Sequence, residues 1–384
     1  MNRIHTSIRI RPITDCDLSE KIDYNILDNS LNISQKKIKF NSEIIYKKNK
    51  YNFDEIYDDY NTNDDIFNIT ATNMLNKFLD NNDVVFYVFG QTGSGKTHTI
   101  FGDKNTQGIF PLVCNYLLDS NYEFEINAVE IYNNKCYDLL SNKQVFERED
   151  GNNTIHIQGV ISYKISNKYV LNNLINKIIK KRRVGVSGRN NQSSRSHMII
   201  KIIIGNNYFK IVDLAGSEKA KYSIYINKSI FRENSEINKS LFVLKECIRS
   251  IRKGKTYVPY RGSKLTKVLK DSFSKNTYTY VIGTIIPENK CISDTLNTLF
   301  YISELKFIKN SNKKKNIQTP KRCSPQTDYI VNNINDLNLL TKKRKEILNE
   351  INNNKLTPKY KRYLLYLIDE ELYILNRLKH KLLE

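Results

Sequence analysis

Eight residues, Gly90–Thr97, spell GQTGSGKT and constrain this chain more than any other stretch. They follow the apolar run Val84–Phe89 and precede a segment with helical character, so the motif sits in the strand–loop–helix context that a phosphate-binding loop requires. Gly90, Gln91, Thr92, Gly93, Ser94 and Gly95 form a loop whose backbone N–H groups can turn inward onto phosphate oxygens. Lys96 adds positive charge for the β- and γ-phosphates, and the Thr97 hydroxyl is a ligand for Mg²⁺. The expectation is a P-loop NTPase that holds the phosphates of a nucleotide with Mg²⁺. A glycine turn that binds nothing does not explain all three elements together.

The surrounding chain agrees with that fold. Short β-rich runs at Thr6–Pro12, Val84–Gly90, Phe124–Asn133, His197–Gly205, Tyr208–Gly216 and Tyr278–Ile286 alternate with helical stretches. Residues 172–186 and 237–254 repeat apolar side chains at three- and four-residue steps. The pattern predicts an α/β domain, a central sheet flanked by helices on both faces, over residues 1–308. From 309 to 330 the texture becomes polar, basic and proline-punctuated, which reads as a linker carrying two proline-directed sites at Thr319 and Ser324. Residues 331–384 regain helical periodicity, with Leu365, Ile368, Leu372, Leu375 and Leu382 at heptad spacing. A helical hairpin and a coiled coil that makes a homodimer both fit this C-terminal α-helical segment.

Charge and cysteine content narrow the partners and the compartment. Sixty-one Lys and Arg against 40 Asp and Glu leave a net charge of +21, which favours an acidic polymer or surface: nucleic acid, an anionic membrane or an acidic protein filament. Six cysteines are scattered without a C-x-x-C pair, so neither a zinc site nor a disulfide framework is expected. The N-terminal residues lack the apolar core of a signal peptide, and no apolar run approaches the roughly 20 residues of a membrane span. The expectation is a reduced, soluble chain of the cytoplasm or nucleus.

Hydrolysis also needs a part that senses the γ-phosphate and a part that holds the metal from the other side. Two segments qualify. NNQSSRSH, residues 190–197, places hydroxyls beside an arginine, and DLAGSE, residues 213–218, opens with an acid just past a strand. Asp213 is placed to hold Mg²⁺ through water, and Gly216 can bring its N–H onto the γ-phosphate. In this order and spacing, GQTGSGKT, NNQSSRSH and DLAGSE resemble the P-loop and two switches of kinesin motor domains. The resemblance runs over roughly the first 308 residues, through RIRP (Arg9–Pro12), EIYNNKCYDLL (Glu130–Leu140), EINKSL (Glu236–Leu241), VPYRGSKLTKVLKDSF (Val258–Phe273) and TLNTLFYI (Thr295–Ile302).

The resemblance implies roles residue by residue. Arg9, Arg11, Pro12 and His98 would cradle the adenine base. Ser194 would approach Mg²⁺ and the γ-phosphate, and Arg195 and Glu218 would form the ion pair that closes the switches. The filament side would be the helix spanning 238–253 and the loop after it, with Lys239, Lys245, Glu246, Arg249, Lys253, Tyr260, Arg261 and Lys264 facing tubulin, and neither nucleic acid nor membrane as partner. Lys245-Glu246-Cys247 resembles the signature of kinesin-13 proteins, which depolymerise microtubule ends. That class also carries a Lys-Val-Asp loop, where this chain has Lys39-Phe40-Asn41. The implied function is a microtubule-stimulated ATPase and depolymerase of the cytoskeleton and spindle. A translocating kinesin is the alternative; an ATP-independent microtubule binder conflicts with the intact Lys96, Thr97, Ser194, Arg195, Asp213 and Glu218.

Overall fold

A computed structural model describes residues 4–13, 21–38, 44–151, 155–184, 194–218, 228–273 and 277–306. All of these belong to the first of the two units into which the chain divides, Met1–Asn312. The linker, its two proline-directed sites, the C-terminal helices, Lys39-Phe40-Asn41 and residues 190–193 of the first switch lie outside the described residues.

The strands are β1 (Ile4–Ile10), β2 (Asp23–Leu27), β3 (Ser30–Ile38), β4 (Ile44–Asn52), β5 (Glu55–Tyr57), β6 (Asp83–Phe89), β7 (Phe124–Tyr132), β8 (Lys135–Asp138), β9 (Gln144–Glu149), β10 (Ile155–Gln158), β11 (Tyr163–Ile165), β12 (His197–Ile204), β13 (Asn207–Asp213) and β14 (Thr277–Ile285). The helices are α1 (Asn63–Ile66), α2 (Thr72–Leu79), α3 (Lys96–Phe101), α4 (Ile109–Asp119), α5 (Lys168–Val184), α6 (Lys228–Arg252), α7 (Lys264–Val268) and α8 (Ile292–Lys306). Among the described residues the expected strands lie within a few residues of their predicted ends, and so does the helix at 172–186; the helix expected at 237–254 begins earlier, at Lys228. Strands β2 to β4 form a separate antiparallel sheet that the periodicity did not reveal.

The main sheet runs β10-β9-β8-β7-β12-β13-β6-β14-β1-β5, with β11 on β7. Its middle is parallel: β6 pairs in the same direction with β13 and β14, and β1 with β14 and β5. Strand β6 shows why this middle is buried on both faces. Its sequence DVVFYVF is β-branched and aromatic, and the period-2 pleat sends Val84, Phe86 and Val88 into one core and Val85, Tyr87 and Phe89 into the other. The first core is completed by α2 to α5, the second by α6 to α8. Between β7 and β8 the turn residues Asn133 and Asn134 both take positive φ, 47° and 56°, as a two-residue hairpin requires.

Parallel strands end together, so the segments that leave β1, β6, β13 and β14 meet along one rim of the sheet. Arg11, the GQTGSGKT loop, Asp213 and Thr284 are therefore neighbours despite their separation in sequence. A crevice outside the carboxyl ends of parallel strands is where open α/β sheets bind their ligands.

Candidate functional site

The phosphate loop turns out of β6 and into α3 through Gly93 and Gly95, whose φ values of 79° and 99° are left-handed and disfavour any side chain. Ser94 fastens the loop, with its hydroxyl 2.7 Å from the Gln91 carbonyl and 2.6 Å from Thr284 Oγ1. Lys96 is buried, and its Nζ donates to the carbonyls of Gly90 and Gln91, both at 2.8 Å. Burial lowers its pKa, while Asp213 and Glu218 nearby act in the opposite direction.

Thr97 and Asp213 come together as the sequence predicts, with Thr97 Oγ1 donating to Asp213 Oδ2 at 3.2 Å. The same carboxylate forms a buried ion pair with Arg182, a residue the sequence reading passed over. A signal for it existed. On α5 the buried positions Leu171, Leu174, Ile175 and Ile178 define a core-facing stripe, and Arg182 lies on it, where a charge demands an ion partner. Asp213 is fully buried, and its Oδ1 accepts no hydrogen bond among the described residues. A buried carboxylate oxygen beside a threonine hydroxyl and a phosphate loop fits the oxygen ligands that Mg²⁺ takes.

The two switch segments are bonded to each other, and the second is bonded to the loop. Gly216 N–H donates to Ser194 O at 2.9 Å, and Ser217 N–H donates to Gly90 O at 3.2 Å. A Cβ on Gly216 would lie 2.4 Å from both Glu218 Oε2 and Thr92 Oγ1, so a side chain there would push these two groups from their bond. Glu218 accepts from Thr92 N–H at 2.8 Å and from the Thr92 hydroxyl, which ties the second switch across the phosphate loop. The sequence resemblance pairs Glu218 with Arg195; in this structure its carboxylate holds Thr92. His197 ties three segments: Nδ1 accepts from Ala215 N–H at 3.0 Å, and Nε2 lies 2.8 Å from the Ser240 hydroxyl, which donates onward to Ile237 O. Its Nε2 therefore carries the proton, and burial pulls its pKa down to about 3.

The residues assigned to the base divide into two kinds. Arg11 brackets the loop, donating to Gly93 O at 3.1 Å and to Glu288 at 2.6 Å. Pro12 is exposed beside it. Arg9 is buried, and its guanidinium donates to Asn63 Oδ1 at 2.6 Å and Thr99 Oγ1 at 2.8 Å. Asn63 also donates to the carbonyls of His98 and Gln107, so Arg9 and Asn63 support the backbone under His98. His98 itself lies 3.4 Å from Asp103. Asn63 is a second residue missed from sequence, held in place by the Thr62–Asp65 capping box of α1.

On α6, Ile237, Leu241, Leu244 and Ile248 are buried, while Lys239, Phe242 and Arg249 are exposed, as is Lys253 just past its end. The KEC triplet is divided by the helix turn. Lys245 reaches toward α8, 3.4 Å from Asn297 Oδ1 and 5.4 Å above the Tyr301 ring, Glu246 pairs with Arg249 at 2.7 Å, and Cys247 is in the core. Tyr260 is half-buried, and Arg261 and Lys264 are paired with Glu149 at 2.8 Å and Glu147 at 2.5 Å.

The kinesin motor domain family model matches residues 9–308. Kinesin-like protein KIN-13B of Arabidopsis thaliana is 33% identical over 332 residues, which cover 82% of this chain and 48% of that protein. Kinesin-like protein KIN-13A of Oryza sativa subsp. japonica is 29% identical over 402 residues, covering 93% of this chain and 49% of that one. The chain thus spans about half the length of these relatives. Among solved structures, a fast kinesin superposes with a TM-score of 0.72 at 25% identity, over 84% of this chain and 98% of that one. A phosphate loop bonded to one of two linked switch segments at the rim of a mixed sheet, and a family match over most of the sequence, lead to one conclusion: the chain belongs to the kinesin motor domain family.

Proposed function

We propose that the chain is a microtubule-stimulated ATPase whose output is kinesin-13-like shortening of microtubule ends. The observation that carries this reading is the chain of hydrogen bonds from the phosphate loop to the second switch, from the second switch to the first, and through His197 and Ser240 to α6. Occupancy of the loop by a γ-phosphate is then felt at the helix that faces the filament. The solved fast kinesin, whose title concerns an ATPase mechanism and interactions with microtubules, supports the same chemistry here. The KIN-13 relatives support shortening rather than stepping.

In this reading Lys96 exchanges the Gly90 and Gln91 carbonyls for phosphate oxygens, which are stronger acceptors for a buried ammonium. Thr97 and Asp213, with Ser194, would hold Mg²⁺, which supplies charge neutralisation across the β- and γ-phosphates. Gly216 turns its N–H from Ser194 O to the γ-phosphate, and Glu218 leaves Thr92 to pair with Arg195 and orient the attacking water. Arg11, Pro12 and His98 border the base. The exposed cations of α6 engage acidic tubulin, and closure of the switches holds α6 against a curved dimer.

The test incubates stabilised microtubules with the protein and ATP and images their length. End shortening that vanishes in Lys96→Ala is expected; gliding at constant length would refute shortening and establish a translocating motor.

A further inference from the structure

Glu288 is a buried carboxylate, 2% exposed, in the segment that leaves β14, and it belongs to none of the motifs read from the sequence. Its two oxygens answer two cations. Oε1 lies 2.6 Å from Arg11 Nη2, and Oε2 lies 2.7 Å from Lys290 Nζ. The backbone around the acid is held from several sides. Arg11 N–H donates to Ile285 O at 3.0 Å, which continues the β1–β14 ladder past Ile10. Ile22 N–H donates to Pro287 O at 2.9 Å, Lys21 bridges to Glu288, and Cys291 N–H donates to Glu288 O at 2.9 Å around a one-turn helix at Asn289–Cys291.

The guanidinium it meets has little else to fix it. The Arg11 side chain is 31% exposed, and its Nε finds no acceptor among the described residues. Its other bond is a single one, from Nη1 to Gly93 O at 3.1 Å. One bond of that length to a neutral carbonyl does not immobilise a long side chain with this much rotamer freedom. A charge-assisted bond to a buried carboxylate is shorter and about twice as strong. Glu288 therefore sets where the fork of Arg11 stands, and Gly93, at the left-handed turn of the phosphate loop, is what the fork is set against.

We propose that Glu288 is a positioning residue for the nucleotide base: it holds Arg11 against the phosphate loop, so that the contact to the base stays in register with the contacts to the phosphates. The proposal rests on the reading that Arg11, Pro12 and His98 border the base. It gives Glu288 two effects of opposite sign. Through Arg11 the acid favours the base, and through its own charge it opposes phosphate. Arg11 and Lys290 against Glu288 leave one excess positive charge at this edge of the loop, and removing the acid leaves two. A residue that merely supported the fold would, when replaced, weaken base and phosphate together.

The experiment measures ATP and inorganic tripolyphosphate as competitors of a fluorescent ATP analogue on the full chain, with Mg²⁺ and without microtubules. The ratio of the two affinities isolates what base and ribose add. In Glu288→Gln that ratio is expected to fall roughly three- to tenfold, about the worth of one hydrogen bond, while tripolyphosphate binds as tightly as before or, at low salt, more tightly. Glu288→Asp keeps the charge and draws it back by one methylene. There the ratio should fall with no gain for tripolyphosphate, which keeps the test decisive where the glutamine variant does not fold. In an Arg11→Ala chain, adding Glu288→Gln should leave the ratio where it stands, because the acid acts through that side chain. A ratio that does not fall in a folded Glu288→Gln chain, tripolyphosphate binding that weakens there, or a further fall in the Arg11→Ala chain would each overturn the proposal. The readout uses neither hydrolysis nor filaments, so a chain that gives the expected ratios and never shortens microtubules refutes only the depolymerase reading. Equal affinity of the unaltered chain for ATP and tripolyphosphate would refute the base pocket itself, and the proposal with it.

Discussion

Replacing Arg182 with alanine removes one member of a buried ion pair and leaves Asp213 charged in the interior. Both side chains are nearly inaccessible, 3% for Arg182 and 0% for Asp213, so water cannot replace the lost guanidinium. Thr97 remains as a hydrogen-bond donor, and Lys96 is near enough to interact electrostatically, but its own bonds go to Gly90 and Gln91. Breaking a buried pair in this way costs about 3–5 kcal/mol. For a domain of this size that corresponds to a fall in melting temperature of roughly 6–10 °C. The assay is thermal unfolding followed by circular dichroism, with and without Mg²⁺ and a non-hydrolysable ATP analogue. The cation offers the Asp213 carboxylate a new partner, so the ligand should raise the melting temperature of Arg182→Ala more than that of the unaltered chain. A companion chain with Arg182→Met and Asp213→Leu should recover most of the lost stability, because no charge stays behind. A loss below about 1 kcal/mol in the single variant, or no recovery in the double one, would refute the idea that the pair is a mutual neutralisation.

Gly216→Ala should lower stimulated ATP turnover at least about tenfold while barely moving the melting temperature, since its Cβ would collide with Glu218 and Thr92 rather than with the core. His197 is neutral in the fold and protonates near its ordinary pKa when unfolded, so the unfolded state binds more protons between pH 6.5 and about 3. Stability should therefore fall by about 2 kcal/mol from pH 7 to pH 5 in urea unfolding, and a His197→Asn chain should lose less over that range. Lys239→Ala should weaken microtubule co-sedimentation severalfold at low salt and little at high salt, because this side chain is exposed on α6. Lys245→Ala should change that salt dependence less, since its ammonium faces Asn297 and the Tyr301 ring; an equal effect would put Lys245 on the filament face.

What could be read from sequence is what is encoded locally. GQTGSGKT was legible because its glycines answer a backbone demand, the left-handed φ of Gly93 and Gly95, that the next residues impose. Strand β6 was legible because burial on both faces leaves an unbroken apolar run. The residues that hold the site together were harder, because their partners are distant in the chain. Arg9 depends on Asn63, Arg11 on Glu288 and Ser94 on Thr284, and no local spacing announces such pairs. Arg182 was the exception, a charge on an apolar helical stripe that could have been questioned. The KEC triplet is legible as a class signature, while the places of its side chains are not. Three letters adjacent in sequence are parted by a 100° turn per residue, which sends them to α8, to Arg249 and to the core.

The alternation along β6 carries a mechanical consequence. Helix α3, which continues the phosphate loop, belongs to the core on one side of the sheet, and α6 belongs to the core on the other. A close-packed sheet is the least deformable layer of such a domain, so it acts as a bulkhead between α3 and α6. Movement has to pass around its edge, and the route there is narrow: Gly90 to Ser217, Ser194 to Gly216, Ala215 to His197 to Ser240. Substitutions deep in either core should therefore change how long the molecule survives. Substitutions at these few rim bonds should change whether its two sides stay synchronised.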